Sequence, residues 1–403
     1  MVKILQINSV SNAGSTGRIA EGIAKKIREN NWKSYIAFGR YYNKSIYSEE
    51  IKFSSKIETY LHVLITRLFA LHGFGSYFAT KSLIKKIDKI KPDIIHLHNL
   101  HGYYMNIKLL FNYLKKNNIK VVWTMHDCWA FTGHCSHYES VNCYKWETIC
   151  ENCPQKKEYP KSFFDNSKEN FINKKKIFSS LENLTIIAPS HWLKSSLEKS
   201  YFSKYNIITI NNGINLDVFN KKNISSLKSK LNLKDEKIIL GVSNVWNKKK
   251  GLYDFIELSE VLNVNYKIIL VGLSASQIEK LPKRIIGVER TQNVNELAQY
   301  YSMADVFFNP TYEDTFPTTN IEALACGTKV ITYKTGGSSE IVDEATGFVI
   351  EKKDFKGLLK ILQNVKKTDE SEIKCVKRAS ELFNENETFK NYIKIYDELI
   401  KKK

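Results

Sequence analysis

Short, nearly unbroken β-branched runs alternate along this chain with stretches whose apolar positions recur every three to four residues. VKILQI (2–7), DIIHLH (93–98), KVVWTM (120–125), LTIIAP (184–189) and IITIN (207–211) read as strands. A polar loop and an amphipathic helix over 19–30 follow the first of them. The second half repeats the design. KIILGVS (237–243), YKIILVG (266–272), DVFFNP (305–310) and KVIT (329–332) read as strands, with helices over 252–262, 294–302 and 319–325. Strands that are apolar throughout and separated by helices predict parallel sheets covered on both faces. The pattern predicts two doubly wound α/β domains, at 1–218 and 237–380. The polar stretch 219–236 is expected as a linker, and 381–403 as a helix packing back on the first domain.

Length changes this picture little: 403 residues suit two to three domains of ordinary size. Charge changes it more. With 61 basic and 42 acidic residues the chain carries +19. The Lys excess is spread out, which leaves three readings open: a solvated surface, a membrane-facing patch, or nucleic acid. Nucleic acid is the weakest of the three and is not expected as a partner. The first strand begins almost at Met1, with no signal-peptide pattern before it. The apolar stretch 60–79 contains His62, Arg67 and His72, too polar at its centre to span a bilayer. A cytoplasmic location is expected.

In open parallel sheets ligands bind past the carboxyl ends of the strands, so the candidate chemistry lies there. After the first strand, Gly14 and Gly17 flank a helix opening that either receives an anion or is a plain turn. After strand 305–310 comes Tyr312-Glu313-Asp314-Thr315-Phe316-Pro317-Thr318-Thr319-Asn320-Ile321-Glu322. A helix is expected to start near Thr319, its N–H groups at Pro317, Thr318, Thr319 and Asn320 forming an anion site. Asp314 and Glu322 flank that site with seven residues between them. Carboxylates so placed can accept hydrogen bonds from sugar hydroxyls on either side of a diphosphate; the bland alternative is helix capping. A second Gly-rich opening follows at Thr335-Gly336-Gly337-Ser338-Ser339-Glu340. No Asp-x-Asp pair for a diphosphate-bound metal is found, so no catalytic metal is expected.

These residues carry a resemblance. Asp314…Glu322, Ala323-Leu324-Ala325-Cys326-Gly327 and Gly336-Gly337-Ser338-Ser339-Glu340 resemble the signature of the retaining glycosyltransferases of family 4. The resemblance implies the GT-B fold, two Rossmann-like domains facing a cleft that holds a nucleotide-sugar. Asp314 sits at the spacing of the family's first Glu and Glu313 one residue further away; either could serve. Lys250-Gly251 resembles the Lys-Gly that meets the donor phosphates. The family's Arg before it is replaced by Asn244, which leaves phosphate charge to Lys250 with Lys249. Asn212-Gly213-Ile214 resembles the turn closing the first domain. Thr124-Met125-His126-Asp127 resembles the segment whose His bonds the transferred sugar. His96, His98, Asn99 and His101 crowd a strand end, where they line the acceptor side or serve structure. The nearest likeness, through HDCWAFTGHC, VWNKKKG and EDTFP, is to enzymes of capsule and colanic-acid-type polysaccharide assembly.

Cys135, Cys143, Cys150 and Cys153 punctuate an insertion over about 128–160 with spacing C-x7-C-x6-C-x2-C. Four thiolates suit a closed structural zinc site; free thiols and disulfides are the alternatives. The stretch 57–90, with Arg67, Lys81, Lys85, Lys86 and Lys89, is either core-packed with solvated lysines or a peripheral contact with the inner membrane surface. Together these readings predict transfer of a sugar from a UDP- or GDP-linked donor to a saccharide or lipid-linked saccharide, with retention. The rivals are another GT-B enzyme, such as an epimerase or a phosphorylase, and a non-enzymatic saccharide- or nucleotide-binding protein.

Overall fold

A computed structural model describes residues 1–401 as two compact units, Met1–Asn211 with Asn386–Lys403, and Asn212–Glu385. The first is built on seven parallel strands: β1 (Lys3–Asn8), β2 (Lys33–Phe38), β3 (Glu49–Lys52), β4 (Ile94–Leu97), β5 (Lys120–Thr124), β6 (Leu184–Ala188) and β7 (Asn206–Thr209). Their order is β3-β2-β1-β4-β5-β6-β7, so the winding reverses between β1 and β4. The helices are α1 (Gly14–Glu29), α2 (Lys56–Phe69), α3 (Tyr77–Ile90), α4 (Ile107–Lys116), α5 (Ser167–Phe178) and α6 (His191–Lys199), joined by the chain's last helix, Glu385–Lys401.

Side-chain alternation along the strands divides this sheet's two faces. Leu5, Ile7, Ile95, Leu97, Val121 and Trp123 pack with Leu83, Phe111 and Phe178 in the larger core. Ile4, Ile94 and Val122 pack with Ile19 and Ile23 of α1 and with Phe389, Tyr392 and Tyr396 of the last helix. The approach of α1 to that helix needs glycine at position 22, because a Cβ there would lie 2.1 Å from the Phe389 ring.

The second unit has six parallel strands: β8 (Lys237–Val242), β9 (Tyr266–Val271), β10 (Ile285–Val288), β11 (Val306–Asn309), β12 (Lys329–Tyr333) and β13 (Gly347–Ile350). Their order, β10-β9-β8-β11-β12-β13, again reverses at the centre, between β8 and β11. The helices are α7 (Ser225–Lys230), α8 (Leu252–Val261), α9 (Ala275–Ile278), α10 (Val294–Met303), α11 (Thr318–Ala325), α12 (Phe355–Asn364) and α13 (Asp369–Leu382); the last helix is therefore α14.

The boundaries differ from those read off polarity. Residues 219–236 are not a free linker: Phe219 and Leu227 are buried in the second unit's core beside Ile238 and Tyr301. Two apolar anchors suffice to dock a segment that is otherwise polar. The first unit ends at Asn211 rather than 218, and the second runs to Glu385 rather than 380.

Candidate functional site

The second unit's strand ends assemble a charged site at the switch point of its sheet. Past β8 the chain makes a short helical turn, Lys248–Lys250, capped by the Asn247 side chain, which accepts from the Lys250 N–H at 3.0 Å. Gly251 follows with φ +75°. A Cβ there would meet Pro310 Cγ at 2.4 Å, so glycine alone lets this turn lie against the loop past β11. Two ion pairs tie the loops together. Lys249 Nζ lies 3.0 Å from both Glu313 carboxylate oxygens, and Lys250 Nζ lies 2.8 Å from Asp314 Oδ2. Lys250 also donates to the Glu313 carbonyl at 3.2 Å and Thr311 Oγ1 at 3.4 Å. Glu313 is the buried acid and Asp314 the more open one, at 7% and 21% side-chain exposure, so the pair the sequence left open now divides in environment.

Helix α11 opens at Thr318 with Pro317 as its N-cap and no side-chain cap. The expected anion site over 317–320 is narrower than read. Proline has no N–H, and the Asn320 N–H already donates to the Pro317 carbonyl at 3.2 Å. Thr318 and Thr319, both half-buried, remain as the opening donors. Glu322 is buried; its Oε2 accepts from the Tyr301 hydroxyl at 2.9 Å. Asn320 Oδ1 accepts from Asn309 Nδ2 at 2.7 Å, while Asn320 Nδ2 is buried without a hydrogen-bond partner. Thr335 Oγ1 and Ser338 Oγ, past the end of neighbouring β12, are orphaned likewise. Three unsatisfied buried polar atoms at the ends of adjacent strands are what a polar ligand would complete. Asn244 is exposed.

The first unit places a histidine chain at its own switch point. His98 is 1% exposed and cannot line an acceptor surface. Its Nε2 meets Gln6 Oε1 at 3.0 Å and its Nδ1 meets His126 Nε2 at 3.1 Å, the two rings stacked 5.4 Å apart. His96 is equally interior, bonded to Tyr396 at 2.6 Å and Thr124 at 2.8 Å. Polar side chains on strands are easily mistaken for a site lining when their partners lie far away in sequence, here at 6 and 396. Burial pushes His96 down to about 3 and His126 down to about 4, so both are neutral near pH 7. His101, half-buried, pairs with Asp127 at 2.6 Å and Tyr159 at 2.9 Å. Burial opposes the Asp127 charge, but His101's charge and hydrogen bond prevail and hold the carboxyl at about 2. Asn99 is half-buried, and its carbonyl accepts from Tyr104. Gly14 is exposed at the start of α1. Gly17 is buried, and a Cβ there would lie 3.2 Å from the Asn12 nitrogen, so its requirement is packing against the preceding turn.

Cys135, Cys143, Cys150 and Cys153 line one narrow cavity with Thr132, His134 and Trp146. A thiol–thiol hydrogen bond raises Cys135 and lowers Cys153, and burial pushes Cys150 up to about 11. None of the four is in a disulfide. The donor set suits zinc, yet among the described residues no three His, Cys, Asp or Glu side chains are arranged to hold a metal ion. Lys174 supports the insertion from beneath, donating to the Trp129 and Thr132 carbonyls at 2.8 and 3.1 Å.

Residues 18–218 match the family model for Glycosyltransferase Family 4, and residues 223–382 the model for glycosyl transferases group 1. A protein of Escherichia coli (strain K12) described as a colanic acid biosynthesis glycosyl transferase, WcaC, is 26% identical over 53% of this chain and 55% of its own length. The capsular polysaccharide biosynthesis glycosyltransferase CapM of Staphylococcus aureus is 27% identical over 45% of this chain and 51% of its own. The chain thus spans about half the length of these relatives. Among solved structures, sucrose-phosphate synthase from Thermosynechococcus elongatus superposes with a TM-score of 0.74 at 18% identity, covering 99% of each chain. Anabaena HepE in complex with UDP-glucose gives 0.69 at 14% identity, covering 99% of this chain and 100% of its own.

Proposed function

Because the chain belongs to the family 4 glycosyltransferases of GT-B fold, we propose that it transfers a sugar from a UDP- or GDP-linked donor to a saccharide or lipid-linked saccharide in cell-surface polysaccharide synthesis. The observation that carries this reading is the strand-end site of the second unit. There Lys249 and Lys250 meet a pair of acids beside an uncapped helix N-terminus and three orphaned polar atoms.

In this reading the diphosphate takes the Lys250 ammonium, the Thr318 and Thr319 N–H groups, and the Asn320, Thr335 and Ser338 side chains. Glu322, held by Tyr301, accepts from the ribose hydroxyls. Asp314 accepts hydrogen bonds from the transferred sugar; neutral His126, in the first unit, is the proposed acceptor toward a substrate hydroxyl. The bond from the anomeric carbon to the leaving phosphate breaks as the acceptor oxygen bonds that carbon on the same face, and the acceptor proton passes to the leaving phosphate oxygen. Lys250 and the α11 N–H groups stabilise the charge left on that phosphate. Diphosphate charge is thus met by cationic side chains and amides, and transfer proceeds without a metal. WcaC and CapM, by their names, act in colanic acid and capsule synthesis, which supports the saccharide acceptor.

A panel of nucleotide-sugars tested by thermal shift, then by transfer, checks the reading. A donor that stabilises the wild type but not Lys250→Ala supports it; equal response from both removes it. Structural zinc on Cys135, Cys143, Cys150 and Cys153 is a separate proposal, resting on the four thiols that line one cavity. Bound, it would add a tie to an insertion that already packs on the core through Phe131, Tyr138 and Trp146. Zinc near one per chain supports that proposal, and metal-free protein with four titratable thiols ends it.

A further inference from the structure

Helix α2 is inverted for a helix surrounded by water. Its buried residues are the polar His62 and Thr66. Its apolar side chains Ile57, Tyr60, Leu61, Leu64 and Leu68 stand 73%, 72%, 53%, 52% and 38% exposed. Those positions recur at three- and four-residue spacing and form one continuous stripe. The polar face is locked inward. His62 Nε2 accepts from the Gly73 and Gly75 N–H groups at 3.1 and 3.3 Å, and its Nδ1 meets Ser76 at 2.9 Å. The helix cannot roll its stripe into the core without breaking that clasp.

The apolar surface continues beyond α2. Tyr77 and Phe78 open α3 at 50% and 76% exposure. The Phe163 N–H donates to the Arg67 carbonyl at 2.8 Å, and Phe163 and Phe164 are 68% and 66% exposed. Charge in this region is mostly positive. Residues 52–91 hold eight Lys or Arg against Glu58 and Asp88. Glu58 is engaged by the Ala79 N–H at 2.8 Å and Asp88 by the Tyr113 hydroxyl. Lys52, Lys56, Lys81, Lys85 and Lys89 are all exposed.

We propose that α2, the opening of α3 and the 163–164 loop form a docking surface for an anionic phospholipid bilayer. The stripe enters the boundary between headgroups and acyl chains, and the lysines meet the phosphates. Charge chooses the occupant. A second copy docked through the same face would bring one basic rim against another. A nucleic acid would use the lysines and leave the stripe in water. The surface stands independently of the donor-site reading.

Flotation of the full chain with vesicles tests it. Phosphatidylcholine vesicles are compared with vesicles containing about a third phosphatidylglycerol. The bound fraction should be roughly tenfold higher on the anionic vesicles and should fall with salt. The combined variant Leu61→Ser, Leu64→Ser, Phe78→Ser should lose binding, and Lys81→Glu with Lys85→Glu should lose the anionic preference. Both should keep the wild-type unfolding temperature and nucleotide response, which separates failure here from failure of the donor site. Folded wild type that ignores both vesicles overturns the proposal. So does equal binding to both, and so does a wild-type dimer that Leu64→Ser dissociates.

Discussion

His98 Nδ1 lies 3.1 Å from His126 Nε2, and this contact fixes which nitrogen of His126 carries a proton. The assignment begins two contacts away, at Gln6. Gln6 Nε2 donates to the Ala20 carbonyl at 2.9 Å, so Gln6 Oε1 faces His98 as an acceptor. His98 Nε2 must therefore be the protonated nitrogen. Burial holds the His98 pKa well below its usual value, so its Nδ1 is bare and accepts from His126 Nε2–H. His126 Nδ1 is then its unprotonated nitrogen, the one the proposed substrate contact would use.

Gln6→Glu should reverse this relay. A carboxylate beside His98 favours its doubly protonated form, His98 Nδ1–H becomes a donor, and His126 shifts its proton to Nδ1. Turnover should fall by roughly tenfold to a hundredfold with nucleotide affinity unchanged. Nitrogen-15 spectra of the imidazoles should show the exchanged tautomer. Lower turnover with an unshifted tautomer would assign the loss to packing instead.

Acid should unfold the first unit early. His62, His96 and His126 titrate in the folded chain at about 4, 3 and 4, chiefly through burial, against 6.5 when unfolded. Below 6.5 the unfolded state binds protons that the folded state refuses, so stability declines as pH falls from about 6.5 toward 4. Asp127, held at about 2 against 3.8, adds a second loss as pH falls through 3.8 toward 2. Unfolding temperature against pH checks this. A flat profile between pH 7 and 4 would contradict it.

Gly251→Ala should cost roughly 1–3 kcal/mol, since it combines a φ of +75° with a Cβ clash on Pro310. Because the same turn carries Lys250, donor affinity should fall with it. Denaturant unfolding and donor titration on one preparation measure both.

Lys250→Ala should weaken donor binding and lower turnover together. Lys250→Gln tests whether charge or hydrogen bonding matters, since an amide can still donate to the Glu313 carbonyl. Recovery by the amide would argue against charge neutralisation at the phosphates. Titration calorimetry at two salt concentrations separates the two.

The strands β8 and β9 were legible from the sequence because burial on both faces leaves their centres without polar interruption, and β1 because its apolar run is broken only by Gln6. The short edge strands β3, β10 and β13 were not. β3 reads EEIK, with most of its side chains in water, and only backbone pairing to β2 makes it a strand. The candidate donor residues were legible because 309–340 is contiguous in sequence. His98 was misplaced because its partner Gln6 is 92 residues distant. The facing of α2 was left open between core packing and a membrane contact for another reason: periodicity locates an apolar stripe but says nothing about which side faces water.

Donor titration of Glu322→Gln bears most closely on where the nucleotide lies. The amide keeps an oxygen for the Tyr301 hydroxyl and so preserves the fold, while removing the negative charge proposed to hold the ribose. Titration calorimetry with UDP and GDP should give wild-type binding of at least one nucleotide and a loss of roughly tenfold or more in the variant. Undiminished affinity in a variant of unchanged unfolding temperature would contradict the placement of the nucleotide in the second unit.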